Sequence, residues 1–147
     1  MTAADVVLAA QAFASAAMCG LIWFVQVVHY PLFAQVTGPG ERAYAAEHQR
    51  RTALVVMPFM LVEGLTAALV AASPPPGIPR GVAFAGLALV LLLWASTGMV
   101  QMPLHGQLGR EGHLPAAVVS LVRSNWLRTA LWTARGLLAV WMLRAAA

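Results

Sequence analysis

Four long apolar runs divide the chain, separated by segments rich in charged residues, proline or glycine. Residues 6–28 and 81–104 carry no formal charge, residues 52–72 carry only Glu63, and residues 124–143 carry Arg128 and Arg135. A transmembrane helix needs about 20 predominantly apolar residues. The pattern therefore predicts one all-α domain over residues 1–147, a four-span transmembrane helix bundle with spans at about 5–30, 48–72, 81–104 and 118–143.

Composition strengthens the membrane interpretation. Of the 147 residues, 61% are hydrophobic and 10% are charged, whereas a soluble domain usually carries about 25% charged residues. All nine basic residues are arginines that flank or enter the apolar runs. No basic stretch is interleaved with aromatic residues, so the expected partner is the lipid bilayer and not a nucleic acid.

The distribution of arginine predicts the orientation. Loops that are richer in arginine and lysine stay in the cytoplasm. One side of the predicted bundle carries five arginines in its two long connections, and the other side carries two: Arg42, Arg50, Arg51, Arg110 and Arg123 against Arg80 and Arg144. We therefore expect an integral membrane protein, in a bacterial inner membrane, with both termini on the non-cytoplasmic side.

Prolines lie at the ends of the predicted spans, between them and inside one of them. Pro31 follows "WFVQVVHY" and is expected to stop span 1, and the segment "ASPPPGIPR" predicts a tight connection between spans 2 and 3. Pro58 lies inside span 2, where it should kink the helix, since proline lacks the backbone N–H of the helix ladder. No helix breaker follows Gly40, so span 2 should begin early, on the cytoplasmic surface.

A weak internal repeat is visible. "PLFAQV" at 31–36 resembles "PLHGQL" at 103–108, an offset of 72 residues that also pairs Glu63 with Arg135. Two explanations fit equally well: coincidence in an apolar chain, or duplication of a helix hairpin. A duplication would relate the two halves by an axis along the membrane normal.

Each predicted span carries a polar face in its cytoplasmic half. Side chains three and four residues apart share a helix face, and such faces avoid lipid because a charge at mid-bilayer costs about 2.5–3.5 kcal/mol. The faces should therefore meet in one inward cavity. The polar face of span 2 is expected to follow Glu47, Arg51, Val55, Phe59 and Glu63. The candidate substrate-binding residues are Gln26, Tyr30, Arg51, Gln101, Asn125, Arg128 and Trp132.

His29 and His105 are the candidate catalytic residues, as acid–base groups or as ligands. Both end their predicted helices beside a Pro–Leu step, so they are expected at the same membrane level. Glu63 and Arg135 are the deepest charges, at equal depth and of opposite sign. They predict an ion pair, which either fixes the register of the bundle or serves a site.

A metal site is another interpretation of some of these residues. Imidazole and carboxylate groups suit iron, copper or zinc, and the chain offers His29, Glu47, His48, Glu63 and His105. The spacing does not supply the Glu-x-x-His pair of di-iron bundles. A haem held by His29 and His105 is a second alternative. Metal and cofactor therefore stay unknown at this level.

The C-terminal third resembles a known family. "QMPLHGQL" followed by "NWLRTALW" looks like the third-to-fourth helix pattern of the small four-helix membrane family that includes anthrone oxygenases, with histidine in place of asparagine at 105. The resemblance assigns the motif positions to Pro103, His105, Leu108, Trp126 and Arg128. It implies oxygenation of an aromatic or quinone-like substrate.

Two functions follow as hypotheses. The first is an oxidoreductase-like enzyme or binding protein for an amphipathic, hydrophobic small molecule of the aromatic or quinone-like kind. The second is an accessory or structural subunit of a larger membrane complex, or of a homo-oligomer, in which the polar residues serve packing only. A coloured or metal-loaded particle would favour the first, and a clear protein that copurifies with larger subunits would favour the second.

Overall fold

Four long helices make up the fold. The computed structural model describes residues 2–112 and 114–146, and within these residues there is no strand. Helix α1 covers Ala3–Phe33, α2 covers Glu41–Ala72, α3 covers Arg80–Glu111 and α4 covers Pro115–Ala145. The all-α prediction is confirmed, and α2 begins ahead of residue 48, as its lack of a helix breaker indicated.

Three of the helices are long and apolar enough to cross a membrane, namely α1, α2 and α3. Helix α4 is as long, but its arginines make it less apolar. Two of them, Arg128 and Arg135, are buried, with 6% and 0% of their surface exposed. The polar side of α4 therefore faces the other helices and leaves apolar side chains such as Leu137 on the outside.

The helices pack in a ring. Helix α1 packs against α2 and α4, and α3 packs against the same two helices, so that each helix has two neighbours. This is the arrangement of an up-and-down bundle with short connections. The largest apolar cluster lies between the helices and includes Met18, Ile22, Leu93 and Leu121. A second cluster around Leu8 closes the end near the chain termini.

Local sequence explains where the helices begin and end. Thr2 and Asp5 form a reciprocal capping box, in which the Thr2 hydroxyl accepts from the Asp5 N–H and the Asp5 carboxylate accepts from the Thr2 N–H. This satisfies two of the free donors at the start of α1. Helix α3 ends at Glu111 and is capped by Gly112, whose φ of 92° is a conformation that glycine adopts without strain.

The prediction that Pro31 stops the first helix is wrong. The chain stays helical through Pro31 to Phe33 because residues Val25–His29 form a π-helical segment. The N–H of Tyr30, the residue that follows this segment, donates to the carbonyl of Val25, five residues earlier. Pro103 likewise does not end its helix. Helix α3 continues past it, and the N–H of Met102 donates to the Thr97 carbonyl. In both helices the wider π-helical turn accommodates the proline, which has no backbone N–H to donate.

The two π-helical segments occupy equivalent positions in the two halves. Val25–His29 and Thr97–Gln101 are each five residues long, and their first residues are 72 positions apart in the sequence. Each precedes a Pro–Leu pair, at Pro31 and Pro103. π-helical turns are rare and concentrate at functional sites. Two of them at the offset of the sequence repeat favour duplication over coincidence. Pro58, by contrast, lies inside the continuous α-helix α2.

Candidate functional site

The π-helical segments carry Tyr30 and Gln101 into the bundle interior. A π turn holds more residues than an α turn, so it changes the direction of the side chains that follow, by about 100° for each added residue. Tyr30 comes directly after the first segment and is 4% exposed, and Gln101 ends the second and is 2% exposed. The two helices thus present polar groups to each other across the bundle.

Tyr30 connects α1 to α3 by hydrogen bonds. Its hydroxyl donates to Oε1 of Gln101 at 3.3 Å and lies 2.8 Å from Nε2 of His105. Since that hydroxyl has a single proton, the bond to Gln101 makes His105 Nε2–H the donor to Tyr30. The second ring nitrogen of His105, Nδ1, is then a lone-pair acceptor. It is buried and has no hydrogen-bond partner.

A cavity of about 150 Å³ opens beside this pair and is called the inner cavity. Its polar lining comes from all four helices: Tyr30, His48, Gln49, Thr52, Thr97, Gln101, His105 and Arg128. Its apolar lining comes from α2 and α3: Ala53, Val56, Met57, Met60 and Met102. Met57 and Met102 are half exposed on the outer surface of the bundle, so the apolar end of the cavity reaches the face that lipid would cover.

Arg128 brings a buried positive charge to the inner cavity. Its Nη1 donates to Oδ1 of Asn125 at 2.9 Å, and Asn125 donates in turn to Gln26. The guanidinium lies 5.0 Å from the centre of the Trp132 ring, a cation–π distance. Its Nε has no hydrogen-bond partner and is buried. Asn125 and Trp132 therefore hold Arg128 while one of its donors stays free.

Three histidines cluster at the mouth of the bundle. Nε2 of His29 lies 3.0 Å from Nδ1 of His48, and the hydroxyl of Thr52 lies 3.3 Å from that same Nδ1. The ring centroids of His48 and His105 are 5.1 Å apart. His48 thus contacts both catalytic candidates, His29 and His105. Within residues 2–112 and 114–146, no group of three or more His, Cys, Asp or Glu side chains is placed to hold a metal ion.

A second cavity of about 330 Å³, the outer cavity, lies on the other side of His48. Its lining residues are Tyr44, Glu47, His48, Arg51 and Thr52. The carboxylate of Glu47 accepts from Arg50 at 2.8 Å and from Arg51 at 2.6 Å. These three charged side chains are well exposed, with 43%, 62% and 74% of their side-chain surface accessible.

Glu63 and Arg135 form a separate, deeper network. Nε of Arg135 lies 4.0 Å from Oε1 of Glu63, and both side chains are fully buried. The hydrogen bonds of the carboxylate come from Ser15 at 2.6 Å and from Trp132 at 3.0 Å. All three guanidinium nitrogens of Arg135 are buried without a hydrogen-bond partner. The pair therefore interacts through charge alone, and Trp132 connects it to Arg128.

The structure distributes the predicted site residues over three places. Tyr30, Gln101, His105 and Arg128 line the inner cavity. Gln26, Asn125 and Trp132 lie behind Arg128 as its supports. Arg51 lies on the outer cavity, bound to Glu47, and His29 contacts His48.

The predicted inward face of α2 is wrong in its phase. Arg51 is exposed and Val55 is 50% exposed, although Glu63 is buried. A strict step of four residues turns about 40° further at each step, so residues 47 and 63 lie on nearly opposite sides of the helix. The face that lines the inner cavity includes His48, Thr52, Val56 and Met60. It begins one residue later than the predicted face, at His48 and not at Glu47. The pair His48 and Thr52, four residues apart, is the signal that could have identified it.

Comparison of the chain with protein-family models, with curated proteins and with solved structures finds no match.

Proposed function

We propose that this chain is a four-span integral membrane protein whose inner cavity binds the polar ring of an amphipathic aromatic or quinone-like molecule. The observation that carries the proposal is the inner cavity itself. It is lined by two buried side chains, His105 and Arg128, that each have a polar atom without a hydrogen-bond partner. A buried polar atom without a partner costs about 1–3 kcal/mol, and a ring hydroxyl in the cavity would donate to Nδ1 of His105 and accept from Nε of Arg128.

The size of the inner cavity sets the size of the ring. About 150 Å³ is the volume of an engineered protein cavity that binds benzene. The site therefore suits a single six-membered ring, with its apolar tail leaving between Met57 and Met102. A three-ring molecule of the anthrone type would need more space. Membership in the anthrone oxygenase family, proposed from Pro103, His105 and Arg128, would thus require a smaller substrate here.

The orientation proposed for the membrane places the histidine cluster at the cytoplasmic side. It follows from the arginines of the two long connections, which should remain in the cytoplasm. Helix α4 is the proposed fourth span, because its two deep arginines face inward and cost less there than in lipid. The protein then acts as an oxidoreductase-like enzyme or as a binding protein for its ligand.

Calorimetric titration of the detergent-purified protein tests the proposal. The probes are 4-nitrophenol, which has one ring and one hydroxyl, and anthrone, which has three rings. We expect 4-nitrophenol to bind at least tenfold more tightly than anthrone. Arg128→Met should raise the Kd for 4-nitrophenol about 10- to 100-fold, because a hydrogen bond to a charged group contributes about 1.5–3 kcal/mol.

The matched control is Arg42→Met, which removes an exposed arginine that lines neither cavity and should leave the Kd unchanged. An equal loss in both variants would show that net charge, and not the cavity, attracts the probe. If the wild-type protein binds neither probe and copurifies with larger membrane subunits, the accessory-subunit hypothesis replaces this one.

A further inference from the structure

The inner and outer cavities share a wall. His48 and Thr52 line both of them, and no other residue belongs to both linings. On the outer side stand exposed polar groups, Tyr44, Glu47 and Arg51. On the inner side stand the buried pair Tyr30 and His105. A histidine between a water-facing cavity and a buried one can exchange protons with both, since one ring nitrogen can accept a proton while the other releases one.

The ring of His48 is held in this wall from two helices. His29 of α1 lies at 3.0 Å from its Nδ1, and Thr52 of α2 at 3.3 Å. Its ring centroid lies 4.5 Å from that of His29 and 5.1 Å from that of His105. His48 and His105 both line the inner cavity, where one water molecule can bridge their ring nitrogens. The side chains thus follow one another from the outer cavity to Tyr30.

We propose that His48 carries protons between the outer cavity and a ring hydroxyl bound in the inner cavity. The inference rests on the proposed function and narrows its ligand class to phenols and quinols, whose ring oxygens gain and lose protons. The O–H bond of the bound ring hydroxyl breaks, and the proton from that hydroxyl forms an N–H bond at Nδ1 of His105. The phenolate that remains is stabilised by the positive charge of Arg128. The proton then passes to His48 and to water in the outer cavity.

The test follows proton exchange on a bound probe. The purified protein in excess is loaded with 4-nitrophenol, whose phenolate absorbs visible light and whose phenol form does not. A stopped-flow pH jump then gives the rate at which the bound probe changes form. We expect His48→Phe to slow this rate at least tenfold, with the protein concentration kept well above the Kd measured for each variant so that the probe is bound in both.

Two further variants separate proton transfer from packing. Tyr44→Phe also changes a ring that lines the outer cavity, but it should leave the rate unchanged. His48→Ala should be as slow as His48→Phe, and imidazole added to the buffer should restore its rate, because the vacated position opens into the outer cavity.

The outcomes are distinct. A wild-type protein that binds no 4-nitrophenol overturns the proposed function and this inference together. A protein that binds the probe, and whose His48 variants exchange protons at the wild-type rate, overturns this inference and leaves the binding site in place. Slow exchange in His48→Ala that imidazole does not restore would also overturn it, because the loss would then come from packing.

Discussion

Replacing Glu63 with glutamine removes one charge from a buried pair and leaves Arg135 alone in the bundle. The two charged atoms are 4.0 Å apart, and 1% and 0% of the two side chains are exposed. At that distance two unit charges attract by about 4 kcal/mol when the effective dielectric constant is about 20. Isolating one charge of a buried pair typically costs about 3–5 kcal/mol, whereas replacing both with packed neutral groups is often nearly neutral.

The structure also predicts which single change is worse. Glu63 keeps two donors, Ser15 and Trp132, when its partner is removed. Arg135 has no hydrogen-bond partner for any of its nitrogens. Glu63→Gln, which isolates Arg135, should therefore destabilise the protein more than Arg135→Met. For a chain of this length, a loss of 3–5 kcal/mol corresponds to about 10 °C in Tm.

Thermal unfolding of the detergent-purified protein, followed by tryptophan fluorescence, measures the effect. We expect both single variants to lower Tm and the double variant to recover most of the loss. Glu47→Gln, which removes the charge shared by two exposed ion pairs, serves as the control and should leave Tm near the wild-type value. If the two single losses simply add in the double variant, within about 0.5 kcal/mol, Glu63 and Arg135 are not partners and the reasoning fails.

Two further predictions concern packing and orientation. Gly64→Ala would place a methyl group 2.7 Å from the Trp94 ring and should lower stability by about 1–3 kcal/mol. The control is Gly20→Ala, which has open space around it and should not lower Tm. Equal Tm values for the two variants would contradict the close contact. In a Cys19→Ser background, an impermeant thiol reagent added to intact cells should label a cysteine at position 3 and not one at position 110, and labelling of position 110 alone would reverse the proposed topology.

The sequence by itself determined the fold class and the number of long helices. Apolar runs of about 20 residues have few stable alternatives to a helix in a membrane, because each backbone polar group must be bonded within its own segment. The equal depth of Glu63 and Arg135 was readable for the same reason: residue count along a helix converts directly into distance, at 1.5 Å per residue.

Only the tertiary structure decided which polar side chains share a site. The direction of a side chain depends on helix phase, which turns 100° with each residue, so a shift of one residue exchanged Glu47 and Arg51 for His48 and Thr52 on the face that lines the inner cavity. The two π-helical segments change that phase again before Tyr30 and at Gln101. Such a turn persists where packing against neighbouring helices stabilises it, and that packing involves residues far away in the sequence.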